Sequence, residues 1–276
     1  MQTFDLYRYQ LLPNSQLQYS LFDKKLTADE IRQKKNIFFN DALKNIPQFH
    51  TAKSQVKHKS VFHQDNWFVL KIGSHKSINR DTEEFSIEKI ETWPNVTVIV
   101  NNNSEKQIIA ISRNKKAFPK TRSVVNLLGA ALNHSLNAQG LSIEIREIFE
   151  KNNFWQLIQK YEKRITKIRF EMIAPNMANI SKVLTLDLKQ LNRDSNCHKA
   201  NIEIEAPNNA SLEVNESNPL INSCVAYAAE GGGEVSLKII GLKKQIKTSE
   251  SIRTVEIGEA HMTNPTSNLL KSLLDF

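Results

Sequence analysis

Val96-Thr97-Val98-Ile99-Val100-Asn101-Asn102-Asn103-Ser104-Glu105-Lys106-Gln107-Ile108-Ile109-Ala110-Ile111 contains two β-branched runs separated by an asparagine-rich stretch. Such runs favour strands, and Asn and Ser accept the turn geometry that reverses the chain, so the segment reads as an antiparallel hairpin. Working outward, Trp67 to Ile72 and Val56 to Phe62 are further strand candidates. The alternation Phe4-Asp5-Leu6-Tyr7-Arg8-Tyr9-Gln10-Leu11 is another. Thr27 and Glu30 have the spacing of a capping box, with Leu26 and Ile31 as its hydrophobic staple, and the helix they open runs to Ile46 before Pro47. A second helix is expected over Thr121 to Ala138, stopped at Gly140, and then an alternating strand from Leu141 to Phe149.

The second half repeats a strand–helix rhythm. Helices are expected at 153–161, 180–191 and 218–229, with strands at 165–173, 200–206 and 234–240 and another at Ile252 to Ile257. Ala174-Pro175-Asn176 signals a turn, and Gly231-Gly232-Gly233 a helix stop. Residues 262–276 offer a final amphipathic helix carrying Leu269, Leu270, Leu273 and Leu274. The fold class is therefore α+β: an antiparallel sheet module with helices over residues 1–150, then a second strand–helix–strand–helix–strand module over 151–276.

Composition excludes several classes. Of 276 residues, 40% are hydrophobic and Gly and Pro number 8 each, which rules out collagen-like and wholly disordered chains. No apolar run approaches the ~18 residues of a membrane span, and the opening residues alternate rather than form a signal peptide. Two cysteines, Cys197 and Cys224, do not make a disulfide framework. The expectation is a cytoplasmic protein with no membrane span.

Its net charge is +8, of which +6 falls on residues 1–150 and +2 on residues 151–276. Arg113, Lys115, Lys116, Lys120 and Arg122 lie within ten residues that contain no acid. Lys163, Arg164, Lys167 and Arg169 form a second cluster. Lys238, Lys243, Lys244 and Lys247 form a third, and Lys53, Lys57, His58 and Lys59 a fourth. Clusters of this kind neutralise phosphates in a salt-dependent, sequence-blind way, although lysines also solvate loops and guard sheet edges. If residues 236–247 form a ribbon around Gly241, Lys243, Lys244 and Lys247 project at one end, suited to a duplex backbone. That ribbon lacks aromatic residues for base stacking.

Catalytic patterns are weaker. His58 and His63 point to opposite faces of a regular strand, and Cys197-His198 with Cys224 lacks the paired spacing of structural zinc sites. Gly231 to Gly233 follow a helix, whereas a phosphate loop precedes one. A carboxylate–metal nuclease would draw on Asp23-Lys24-Lys25, or on Glu234 with Lys238, but the first lies in a turn and the second has the wrong spacing. Glu203 and Glu205 are ordinary for the wet face of a strand. No catalytic residue, metal or cofactor is assigned.

The order of elements resembles the RexA-like phage-exclusion proteins of lambda-type prophages and related bacterial phage-defence families. The carrying stretches are Tyr7-Arg8-Tyr9-Gln10, the helix before Phe38-Phe39, Trp67 to Leu70, Ile108 to Arg113, Ile168 to Asn176, and Val235 to Lys247. The resemblance implies a globular domain with a mobile second domain, a homodimer, and largely sequence-independent duplex DNA binding through Lys243, Lys244 and Lys247. A non-enzymatic DNA-binding component of anti-phage defence is thus the leading expectation, with a second defence-system protein as a further partner. A metal-dependent nuclease and a protein-interaction scaffold are the alternatives.

Overall fold

β1 (Gln2–Pro13) organises the first sheet because it pairs along both edges. The protein is described by a computed structural model over residues 1–14, 26–49, 51, 54–174, 190, 195, 197–258 and 265–274. On one edge, Phe4 to Arg8 pair with β7 (Ile108–Ser112). β6 (Asn95–Asn101), β3 (Trp67–Ser74) and β2 (Val56–Gln64) continue the sheet, every pair antiparallel. The other edge of β1 is shared. Tyr7 to Pro13 pair with β8 (Leu141–Glu147), and Gln2 to Asp5 with β13 (Thr254–Ile257).

The period of two in β1 divides its side chains between two cores. Tyr7, Tyr9 and Leu11 join the core beneath α1 (Ala28–Lys44) and α2 (Thr121–Asn137), with Phe39, Val124 and Leu128. Phe4 and Leu6 face the other way, with Val69, Ile99 and Ala110, beneath Leu270 and Leu274 of α5 (Ser267–Leu274). The expected capping box forms: Thr27 Oγ1 accepts from the Glu30 N–H at 3.2 Å, and Glu30 accepts from the Thr27 N–H at 2.7 Å. Gly140 adopts φ 76° just beyond the end of α2, where a left-handed residue turns the chain into β8.

The second sheet has the order β10 (Lys199–Glu205), β9 (Ile165–Ile173), β11 (Gly233–Ile239), β12 (Ile246–Lys247), again antiparallel. α3 (Lys151–Lys160) and α4 (Pro219–Tyr227) bury Phe154, Ile158, Ile221, Cys224 and Val225 against Ile168, Phe170, Val235 and Leu237. Pro219 stands at the start of α4, and the Asn218 side chain caps it by accepting from the Leu220 and Ile221 N–H groups. The architecture is α+β. The expected helix at 180–191 lies outside the described residues except for Gln190, as do Pro175, Asn176 and the Asp23-Lys24-Lys25 stretch.

The chain does not stay in the second module after residue 150. β13 returns to pair with β1, and α5 covers the open face of the first sheet. The two sheets meet at the triple glycine. After α4 the chain makes one π turn, Ala228–Gly232, in which Gly231 has φ 79°. A Cβ on Gly231 would come within 2.5 Å of Arg8 Cβ, and one on Gly233 within 2.0 Å of the Glu171 carbonyl oxygen. These glycines therefore end a helix, as their sequence suggests, and also let two backbones approach more closely than any side chain permits. Ion pairs of Arg8 with Glu230 (3.2 Å) and Arg146 with Glu171 (2.6 Å) flank the seam.

One element has no counterpart in the sequence reading. Between β3 and β6 the chain forms a two-stranded ribbon, β4 (Lys76–Asp81) and β5 (Ile87–Thr92), that pairs with neither sheet. No helix among the described residues is long and apolar enough to cross a membrane.

Candidate nucleic-acid interface and a basic cleft

The structure divides eleven of the basic residues singled out in the sequence between two places. The first is one end of the second sheet. Lys163 and Arg164 occupy the turn between α3 and β9, Lys238 lies near the end of β11, and Lys243 and Lys244 lie in the loop between β11 and β12. Two reciprocal contacts tie the turn to the loop. The Ile240 N–H donates to the Arg164 carbonyl at 2.8 Å, and Arg164 Nη2 donates to the Ile240 carbonyl, also at 2.8 Å. Part of the second charge cluster of the sequence, Lys163 and Arg164, and part of the third, Lys238, Lys243 and Lys244, thus become one patch.

All five of these side chains are exposed, and none has a carboxylate partner among the described residues. Ile240 and Leu242 are exposed beside them. Lys167, assigned to the same cluster by sequence, behaves differently. It bonds Glu203 at 2.6 Å and Glu205 at 3.0 Å, contacts that raise its own pKa and lower that of Glu203. Lys247 also departs from the expected ribbon tip. β12 is two residues long, so Lys247 pairs with Ser236 inside the ladder and bonds Glu234 at 2.7 Å.

The second place is a cleft of about 650 Å³ at one end of the first sheet, where Arg113, Lys115, Lys120, Arg122 and Lys247 converge. Lys116 is exposed on the same loop but does not line it. Phe118, Pro119, Val96 and Ile252 form its apolar wall. Its floor is a chain of buried hydrogen bonds. Arg113 Nε donates to Asp5 Oδ1 at 2.7 Å, and the Thr121 hydroxyl donates to Asp5 Oδ2 at 2.5 Å. Because that hydroxyl has one proton, the Tyr7 hydroxyl 2.7 Å away is the donor to Thr121. Burial is the main cause of the upward shift of the Tyr7 pKa. Arg122 is held in the same way by buried Glu147 at 2.7 Å.

Both arginines are thus oriented by a carboxylate and retain guanidinium N–H groups on their exposed sides. Lys120 is the N-cap residue of α2, which has no side-chain cap and no acid in its first turn, so the positive end of the helix dipole adds to the field. A cavity of this size admits a strand tip or a small anion, not a duplex. The buried partners Asp5, Tyr7 and Glu147 were not legible as site residues, since they occupy ordinary positions of alternating strands.

The residues weighed for chemistry are dispersed. Glu203 and Glu234 each bond a lysine. Cys224 lies in the second core, where burial pushes its thiol pKa up, and a ring nitrogen of His198 bonds the Pro13 carbonyl at 2.7 Å. His63 stacks on Phe68. Among the described residues, no group of three or more His, Cys, Asp or Glu side chains is placed to hold a metal ion.

No curated protein and no solved structure matches the chain. A family model does match, over residues 103–275, a span that includes all eleven basic residues, the triple glycine and both α4 and α5. The chain belongs to the family described as Domain of unknown function (DUF4747).

Proposed function

We propose that this protein binds duplex DNA through phosphate contacts, largely without regard to sequence. It acts as a non-enzymatic, cytoplasmic, homodimeric component of bacterial anti-phage defence that works with a second defence-system protein. The observation that carries the DNA reading is the convergence of Lys163, Arg164, Lys238, Lys243 and Lys244 on one exposed end of the second sheet, with no carboxylate partner among the described residues. An unpaired, solvated lysine loses little when it meets a phosphate, and the counterions it releases supply the free energy. The absence of aromatic residues between Ser236 and Lys247 favours a duplex over single strands. The resemblance to phage-exclusion proteins supplies the defence setting.

The test is binding of the full chain to random-sequence duplex DNA over a salt series, with and without Mg²⁺. Binding that weakens with salt and leaves the DNA intact supports the reading. K238E/K243E/K244E should weaken binding on every sequence and reduce the salt slope by roughly 3, about one for each phosphate no longer neutralised. Unchanged affinity in that variant would remove the patch from consideration, and Mg²⁺-dependent cleavage would replace the reading with a nuclease.

A further inference from the structure

The β4–β5 ribbon is an arm. Its twelve strand residues include none that is buried, and it emerges from the same end of the first sheet as the basic cleft, between Ser74 and Asn95. Asn114, which lines the cleft, donates from Nδ2 to the Asn95 carbonyl at 2.9 Å and so pins the base of the arm to the cleft rim. An isolated two-stranded hairpin is marginal in water. This one nevertheless exposes Ile87 to 71% and Phe85, at its tip, to 99%.

Its charge opposes that of the rest of the molecule. Asp81-Thr82-Glu83-Glu84-Phe85-Ser86-Ile87-Glu88 has four acids and no base in a chain of net charge +8. That sign disfavours DNA or an anionic membrane surface as the partner of the arm and matches the cleft, where Lys115 and Lys120 have no carboxylate partner among the described residues. The cleft also supplies an apolar wall, Phe118 and Pro119, for an aromatic ring. The arm residues are not among those lining the cleft of their own chain.

We propose that the tip of the arm, Glu83-Glu84-Phe85, docks into the basic cleft of a second copy of this chain, with Phe85 against Phe118 and Pro119 and the two carboxylates on Lys115 and Lys120. Arm and cleft lie at the same end of the sheet, so a two-fold axis lets both copies make the contact reciprocally, which closes the assembly at a dimer. This docking deepens the homodimer reading proposed for the protein and does not depend on DNA.

Sedimentation velocity of the full chain tests it. The expected result is a dimer at low ionic strength that dissociates as salt screens the interface. E83K/E84K, Phe85→Ser and K115E/K120E should each weaken the dimer at least about tenfold, and E83K/E84K combined with K115E/K120E should restore it. These side chains are exposed, and restoration in the combined variant separates a disrupted interface from an unfolded protomer. A monomeric wild-type chain, a dimer indifferent to the arm variants, or no restoration in the combined variant overturns the proposal. Phe85→Ser should leave the DNA affinity of each protomer unchanged, so the outcome for the arm and the outcome for the DNA interface are read separately.

Discussion

Asp5 and Arg113, 108 residues apart in the chain, meet at 2.7 Å on the floor of the basic cleft. Asp5 is buried, while Arg113 is half-exposed and reaches into the cleft. With its second oxygen taken by Thr121, the carboxylate spends its acceptors on holding one cation and one hydroxyl in place. Cleft geometry and local stability therefore depend on the same side chain.

Asp5→Ala should remove about 2 kcal/mol of stability, because the buried Thr121 hydroxyl is left without its acceptor while Arg113 rehydrates. Urea unfolding should show the midpoint falling with its slope unchanged, and the melting temperature should drop by about 5 °C. A neutral outcome would mean that the hydrogen-bond chain of the floor contributes little.

Gly231→Ala and Gly233→Ala test the seam between the sheets for different reasons. Alanine at 231 must adopt a left-handed conformation and also meet Arg8 Cβ. At 233 the backbone is extended and the obstacle is the Glu171 carbonyl at 2.0 Å, which belongs to the neighbouring strand and has nowhere to move. Each variant should cost more than about 3 kcal/mol. A melting temperature within a degree or two of wild type in either variant would refute the close approach.

Burial raises the phenol pKa of Tyr7, Tyr9 and Tyr227 above the ordinary value of 10.0. A folded-state pKa above the unfolded one means that the native protein holds protons the unfolded chain has released. Stability is then fully present below pH 10 and is lost as pH rises beyond it. Alkaline titration should show phenolate absorbance of these residues appearing together with unfolding. Tyr7→Phe should make that loss shallower by one proton.

Lys244 and Lys247 are three positions apart, but in the structure their situations differ. Lys247 bonds Glu234, whereas Lys244 has no carboxylate partner among the described residues. Lys244→Gln should therefore lower the salt slope of DNA binding by roughly 1, and Lys247→Gln by clearly less. Equal effects would show that Lys247 leaves its partner to meet the phosphate.

Much of the fold was readable because the signals involved are local. The alternation in β1 and β8, the Thr27–Glu30 box, Pro219 at the start of α4 and Gly140 after α2 report on geometry within a few residues. The arm was missed because its strands are solvated on both faces. Residues 76–92 include five acids and three bases, so no apolar period marks them. The triple glycine was read correctly as a stop, but its packing role depends on Arg8 and Glu171, which no local pattern links to it.

The sequence by itself determined most of the helices and strands of the two sheets, several of their caps and stops, and that basic residues outnumber acids, since periodicity, capping and composition are properties of neighbouring residues. Tertiary structure alone decided which charges meet. It joined Arg164 to the Ile240 loop, neutralised Lys167 and Lys247 while leaving Lys243 and Lys244 without described partners, and brought β13 back to β1. The physical reason is that strand order and register are set by how buried faces pack over the whole chain, and a side chain acquires its partner only when those pairings close.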